Sequence, residues 1–264
     1  MGKRLSNAPV YYTVAQIQFN PVLNLDAYIS AIQAKMREKH FPDFKQEVVQ
    51  RLVLPFGAIE PGQVAAPTFT PQSRYQFGDI SGSTRFVLET NALSFQTTEY
   101  ETFDAFSHAL LAGLGTVHDA LQLDFIERIG LRYLDAVLPS GEKESLRDFL
   151  VPEVLGLSLR DHAQHQHSVS ETLVTSPAGQ LVSRVIIRHG QVGLPVELTS
   201  LAPNIDPRFT QHVGLHAVID TDASVTQREV FDLEKIEARL TALHNEIDKC
   251  FKAIVTDHAL ATWA

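Results

Sequence analysis

The sequence predicts an α+β protein: an antiparallel sheet with helices on one face, built from two related units about a pseudo-twofold axis. Three observations lead there. β-Branched and aromatic runs alternate with amphipathic stretches, but without the regular βαβ rhythm of parallel folds. Two turn signals, "SGS" (81–83) and "SPAG" (176–179), each sit between strand-like runs and read as hairpins. The two halves also match in order: "VVQRLVL" (48–54) lies over "LVSRVII" (181–187), and "LETNA" (88–92) over "IDTDA" (219–223). The helices that follow keep step, Phe103, Phe106, Leu110, Val117 and Leu121 falling on Leu233, Ile236, Leu240, Ile247 and Phe251. The expected unit is strand, helix, two or three antiparallel strands, helix, with repeats at 1–123 and 124–264 in one compact chain.

Element by element, "VYYTVAQIQF" (10–19) lacks Gly and Pro and reads as a strand ended by "NP". Leu25, Ile29, Ile32 and Met36 recur at helical spacing, giving a helix over about 24–39. A strand follows at 47–54, and the four prolines of 55–72 predict a long loop. The runs 74–80 and 84–90 flank the first hairpin, and 92–98 supplies another strand. "TEYE" (98–101) suggests a capping box that starts a helix with Phe103, Phe106, Leu110, Leu114, Val117 and Leu121 on one face. A long strand at 125–138 precedes a shorter helix within 139–155. The second hairpin pairs 165–175 with 180–187. After a further loop come strands 212–222 and 223–230, then a last helix from about Asp232.

Composition narrows the function. Lys and Arg total 22 against 31 Asp and Glu, a net charge of -9, which disfavours a broad nucleic-acid surface. The single cysteine, Cys250, leaves no intramolecular disulfide and no cysteine-based zinc cluster. No apolar run is long enough to cross a membrane, and the N-terminus lacks a signal-peptide core, so a soluble cytoplasmic protein is expected.

Several segments resemble a known family: "RIGLRYLDAV" (128–137), "HSVSET" (167–172), "RVIIRHG" (184–190), "GLHAVIDTD" (214–222) and "LHNEIDKCFKAIVTDHALATW" (243–263). They are similar to a sporadically distributed, functionally uncharacterised bacterial family of about this length with a C-terminal Leu-His…Phe…Thr…Trp signature. The resemblance implies a bacterial cytoplasmic protein and hints at an accessory role such as defence or toxin neutralisation. It supplies no catalytic residues.

Two constellations carry chemistry. Arg128 and Arg132 share one face of the long strand, with Gly130 leaving bare backbone between them, and guanidinium forks suit carboxylate or phosphate oxygens. Arg51 and Arg184, equivalent in the expected duplication, would add a second pair. The plainer reading gives each arginine a structural carboxylate partner such as Glu89, Glu127, Asp135 or Asp220. The second constellation is "DHAQHQHSVSET" (161–172), in which His165 and His167 would share a strand face about 6–7 Å apart. With a third donor such as His212, His216, Asp220 or Glu171 they could hold Zn²⁺ in an open catalytic site; no HExxH supports this. Glu89, Asp220 and Asp222 precede turns and read as turn residues rather than an acid–base pair.

Two hypotheses follow. The first is a non-enzymatic module with no cofactor, taking a protein partner or a small anionic ligand in a groove between the repeats, and able to form a homodimer. The alternative is a metal-dependent hydrolase on His165 and His167.

Overall fold

Alternating apolar and polar residues place one side of almost every strand in the core and leave the other for something else. A computed structural model describes residues 7–53, 68–140, 144–159, 166–199 and 203–264, with backbone alone at 51–53, 68–70 and 158–159. Among these residues nine strands form one antiparallel sheet in the order β2-β3-β4-β5-β1-β6-β9-β8-β7. They are β1 (Val10–Phe19), β2 (Asp43–Val53), β3 (Thr68–Gly78), β4 (Thr84–Glu89), β5 (Ala92–Thr97), β6 (Phe125–Val137), β7 (His167–Ser176), β8 (Gly179–Gln191) and β9 (Val213–Val230).

On one face, Ala15, Ile17, Phe86, Leu88, Leu93, Phe95, Ile129 and Leu131 meet three helices: α1 (Ile29–Glu38), α2 (Phe103–Leu121) and α7 (Leu233–Ile254). Helix α2 presents Phe106, Leu110, Leu114 and Val117 as its buried stripe. It starts at Thr102, whose hydroxyl accepts from the Ala105 amide, and stops at Gln122 with φ +53°. A methyl group at Gly113 would meet the Phe86 ring at 2.3 Å, so the missing side chain lets α2 sit down on β4. Asp232 caps α7 through the amides of Glu234 and Lys235. The terminal helix α8 (Asp257–Trp263) closes a second core, where Trp263 lies against Phe149 and Phe251.

The other face is covered by described residues only at one end. There a strap between β8 and β9, described at 192–199 and 203–212, carries the four-residue turns α5 (Val196–Thr199) and α6 (Pro207–Thr210). Val192, Leu198, Ile205 and Phe209 of the strap pack on Tyr11, Tyr12, Leu134 and Val218. Asn204 pins the strap to the β3–β4 hairpin: its amide donates to Gly82 O (2.8 Å), its side chain to Ser81 O (3.1 Å), and Thr98 Oγ1 donates to its carbonyl (2.6 Å). Gly82 has φ +73°, and a Cβ there would strike Asn204 at 2.6 Å.

The expected architecture of two duplicated helix-on-sheet units is therefore corrected. A single, mostly sheet structure forms, and the matched segments do unlike jobs. "LETNA" turns the β4–β5 hairpin, whereas "IDTDA" lies inside β9, one continuous strand of 18 residues where two were expected. Arg51 is on the edge strand β2 and Arg184 on the interior strand β8. The helix expected after β6 is only two short turns, α3 (Leu146–Phe149) and α4 (Pro152–Leu155). Thr98 caps no helix, because α2 starts four residues further on, at Thr102; the Thr98 hydroxyl instead donates to Ser83 O and Asn204 O. Strand β3 begins at Thr68, inside the stretch expected to be loop; residues 54–67 lie outside the described ones. No helix among the described residues is long and apolar enough to cross a membrane.

Candidate functional site

Where the strap ends, the uncovered face becomes a polar trough of about 260 Å³. Strand register arranges its floor in three rows. At the strap end, Gln96, Val14, Arg132 and Asp222 face each other across β5, β1, β6 and β9. The middle row is Ser94, Gln16, Gly130 and Ser224, small except for Gln16, whose Nε2 donates to Ser94 Oγ (3.2 Å). The outer row holds Gln18 and Arg128, with Arg74 and Glu89 beyond.

The arginines differ in what they touch. Arg132 forms a bidentate pair with Asp220, Nε–Oδ1 and Nη2–Oδ2 both 2.7 Å, and reaches Glu197 of the strap at 3.0 Å. Asp220 is only 2% exposed and draws Arg184 as well, Nη1–Oδ2 3.6 Å. Arg184 is held by Glu171 at 2.5 Å. Arg74 pairs with Glu89 at 2.8 Å, and Glu127 is taken by Arg228. Arg128 alone among the trough's arginines has no hydrogen bond or ion pair among the described residues. Its guanidinium lies over Gly130, where a Cβ would meet Nη1 at 2.8 Å. The bare backbone at Gly130 thus serves to let this cation lie flat across the floor.

Two acceptors in the trough are also unfilled. Gln96 is 4% exposed and its Oε1 has no hydrogen-bond partner. Asp222 is half-buried and its carboxylate has no hydrogen bond among the described residues; burial pushes its pKa up, against the pull of Arg132 and Arg128. Desolvating such groups unpaired is costly.

Of the residues expected from sequence, Arg128 and Arg132 line the trough together, and Arg184 stands beside them in the Asp220 network. Arg51 does not join: its strand β2 is five steps from β6, roughly 24 Å at ordinary strand spacing. His165 lies outside the described residues. His167 is exposed on β7, opposite Arg188, which is itself opposite His216. Arg188 Nε donates to His216 Nε2 at 3.4 Å, so a guanidinium stands where a cation shared by the two imidazoles would sit. Burial, followed by neighbours including Arg188, keeps the His216 pKa low. His212 packs edge-on against His216, and no group of three His, Cys, Asp or Glu able to hold a metal occurs among the described residues.

Sequence reasoning missed Arg74, Gln16, Gln18 and Gln96. The signal was there: each alternates with a core residue (Tyr75, Ile17, Phe19, Phe95), so each had to face the other side. It also missed a polar row on the helix-covered face. Thr84, Thr97, Thr13, Tyr133, Thr221, Ser183 and Thr172 are successive neighbours across seven strands. The Tyr133 hydroxyl lies 3.1 Å from Tyr100 OH and 3.3 Å from Nδ1 of His244, which stacks on Phe103. Next to this row Asp135 is buried without a hydrogen bond among the described residues, and burial raises its pKa to about 7.

No protein-family model matches the chain, and no curated protein matches it.

Proposed function

We propose that this protein is a non-enzymatic, cytoplasmic binding module whose uncovered sheet face takes a small anionic ligand. The observation that carries the reading is Arg128, a guanidinium spread over Gly130 in a trough where every other arginine already has a carboxylate. Among the described residues the trough's lining offers no hydroxyl or thiol beside an imidazole and so no activated nucleophile. The hydrolase alternative on His165 and His167 is less well supported, because Arg188 stands between His167 and His216.

The test is calorimetric titration with sodium propionate and sodium phosphate at constant ionic strength. Saturable binding of at least one is expected, and Arg128→Gln should abolish it. The variant should keep its stability within about 0.5 kcal/mol, since the side chain makes no pair to lose. Absence of saturable binding to the unaltered protein would overturn the reading.

A further inference from the structure

The sheet ends differently on its two sides. Strand β2 forms one edge and carries Asp43, Lys45, Glu47 and Arg51, the kind of charge that keeps an edge from pairing with another chain. Strand β7 forms the other with one acid, Glu171, no lysine and no proline, and Val169, Leu173 and Val174 are exposed on it. One bond fixes the phase of its ladder. The His189 amide donates to Gln166 O (3.3 Å), so the even-numbered residues of β7 exchange bonds with β8. The amides and carbonyls of His167, Val169, Glu171, Leu173 and Thr175 therefore point away from the sheet, with no partner among the described residues.

This edge is matched to itself. Laid antiparallel on a second copy with Glu171 on the twofold axis, Val169 faces Leu173 of the copy and His167 faces its Thr175, so all these residues can exchange both of their bonds. Shifting the axis by one residue either way sets Glu171 against Leu173 or Val169. On the helix side Val174 falls opposite Ser168, which adjoins Gly156 and so the exposed Leu157 next to it. The exposed apolar side chains of this edge thereby meet one another. Two glutamates on the axis would repel, but each is held by its own Arg184 at 2.5 Å.

We infer that β7 is a reversible homodimerisation edge, joining two nine-stranded sheets into one about a twofold axis through Glu171. Size sets the strength. An edge of this length is about 33 Å long and one sheet layer, about 10 Å, deep, a footprint of roughly 300 Å² against the ~800 Å² that each partner of a standard stable interface buries. The dimer therefore forms in the micromolar range and comes apart on dilution. The axis also closes the assembly, since each copy offers β7 once and keeps its charged β2 edge outermost. The seam lies at the sheet's edge and does not depend on the anion binding proposed for the trough.

The test is sedimentation of the full chain over about 1–500 μM, with hydrogen exchange read at both ends of that range. A monomer–dimer equilibrium is expected, with the amides of Val169, Glu171 and Leu173 exchanging more slowly as the dimer forms. Leu173→Lys, at an exposed site, should weaken association by about tenfold or more, whereas Val48→Lys on β2 should leave it unchanged. Glu171→Cys should cross-link to its counterpart on mild oxidation, since the paired Cα atoms would be about 5.5 Å apart. His167→Cys, about 26 Å from its own counterpart, should not. A monomer throughout would overturn the proposal, and slow exchange of those amides in that monomer would put another segment of this chain on the edge. A dimer indifferent to Leu173→Lys, or a Glu171→Cys variant that fails to cross-link, would overturn it as well by moving the contact elsewhere.

Discussion

The two faces of the sheet bury polar groups by opposite means. On the uncovered face charge is buried in pairs, Arg132 with Asp220 and Arg74 with Glu89, at ordinary ion-pair distances. Under the helices no such pair stands beside Asp135 among the described residues; a row of hydroxyls crosses the sheet, and among the same residues the Thr13 and Thr221 hydroxyls have no partner. A face that keeps access to water can hold ionised groups, paired like these or half-exposed like Arg128 and Asp222, whereas a face closed by helices admits mainly groups that can be neutral. Asp135 follows that rule by taking a proton rather than a partner.

Removing one member of a matched pair should give the largest effect. Arg132→Ala leaves Asp220, 2% exposed, with only the 3.6 Å contact to Arg184. A loss of about 3–5 kcal/mol is expected in urea unfolding, and Asp220→Asn in the same background should restore part of it. Little change in Arg132→Ala would mean the uncovered face is wetter than its pairs imply.

The covered face predicts a pH effect of the opposite sign from ordinary carboxylates. Folded Asp135 holds its proton up to about pH 7, but in the unfolded chain it releases it near its ordinary value of 3.8. Between those values the folded state binds more protons, so this contribution to stability falls as pH rises and then levels off. The full difference is as much as about 4 kcal/mol. Carboxylates with lowered pKa, such as Asp79, act in the reverse direction, so the comparison should be between the protein and Asp135→Asn. The variant should gain relative stability from pH 5 to pH 8; a constant difference would show that Asp135 is ionised throughout.

The smallest of the three effects tests how closely the helix layer sits. Gly113→Ala drives a methyl group into the Phe86 ring and should cost about 1–3 kcal/mol, read as a lower midpoint with unchanged denaturant slope. A neutral result would mean that α2 can lift from β4 without penalty.

Local pattern made much of this legible. The alternation around Ile129 and Leu131 put Arg128, Gly130 and Arg132 on one face, and the stripes of α2 and α7 were read with the correct spacing. Strand order was not legible, because antiparallel neighbours far apart in sequence leave no mark on either strand's own composition. That is why Arg51 was grouped with Arg184, and why Asp220, one of four carboxylates named as partners for these arginines, could not be singled out as the one that Arg132 and Arg184 share. The "LETNA" and "IDTDA" match misled for a related reason. Asp, Asn and Thr serve a two-residue turn or the polar face of a strand equally well, and only the neighbouring strand decides between them.

The contact between Asn204 and Gly82 has a kinetic consequence. It joins segments 122 residues apart, and β1–β6 pairing likewise waits on residues more than a hundred positions apart. Hairpins such as β7–β8 need only local closure, so these distant contacts are expected to form late. The trough needs both, since its floor spans β1 and β6 and its wall belongs to the strap. A chain that has not closed these contacts therefore has no complete trough, so the site is the last part of the fold to exist.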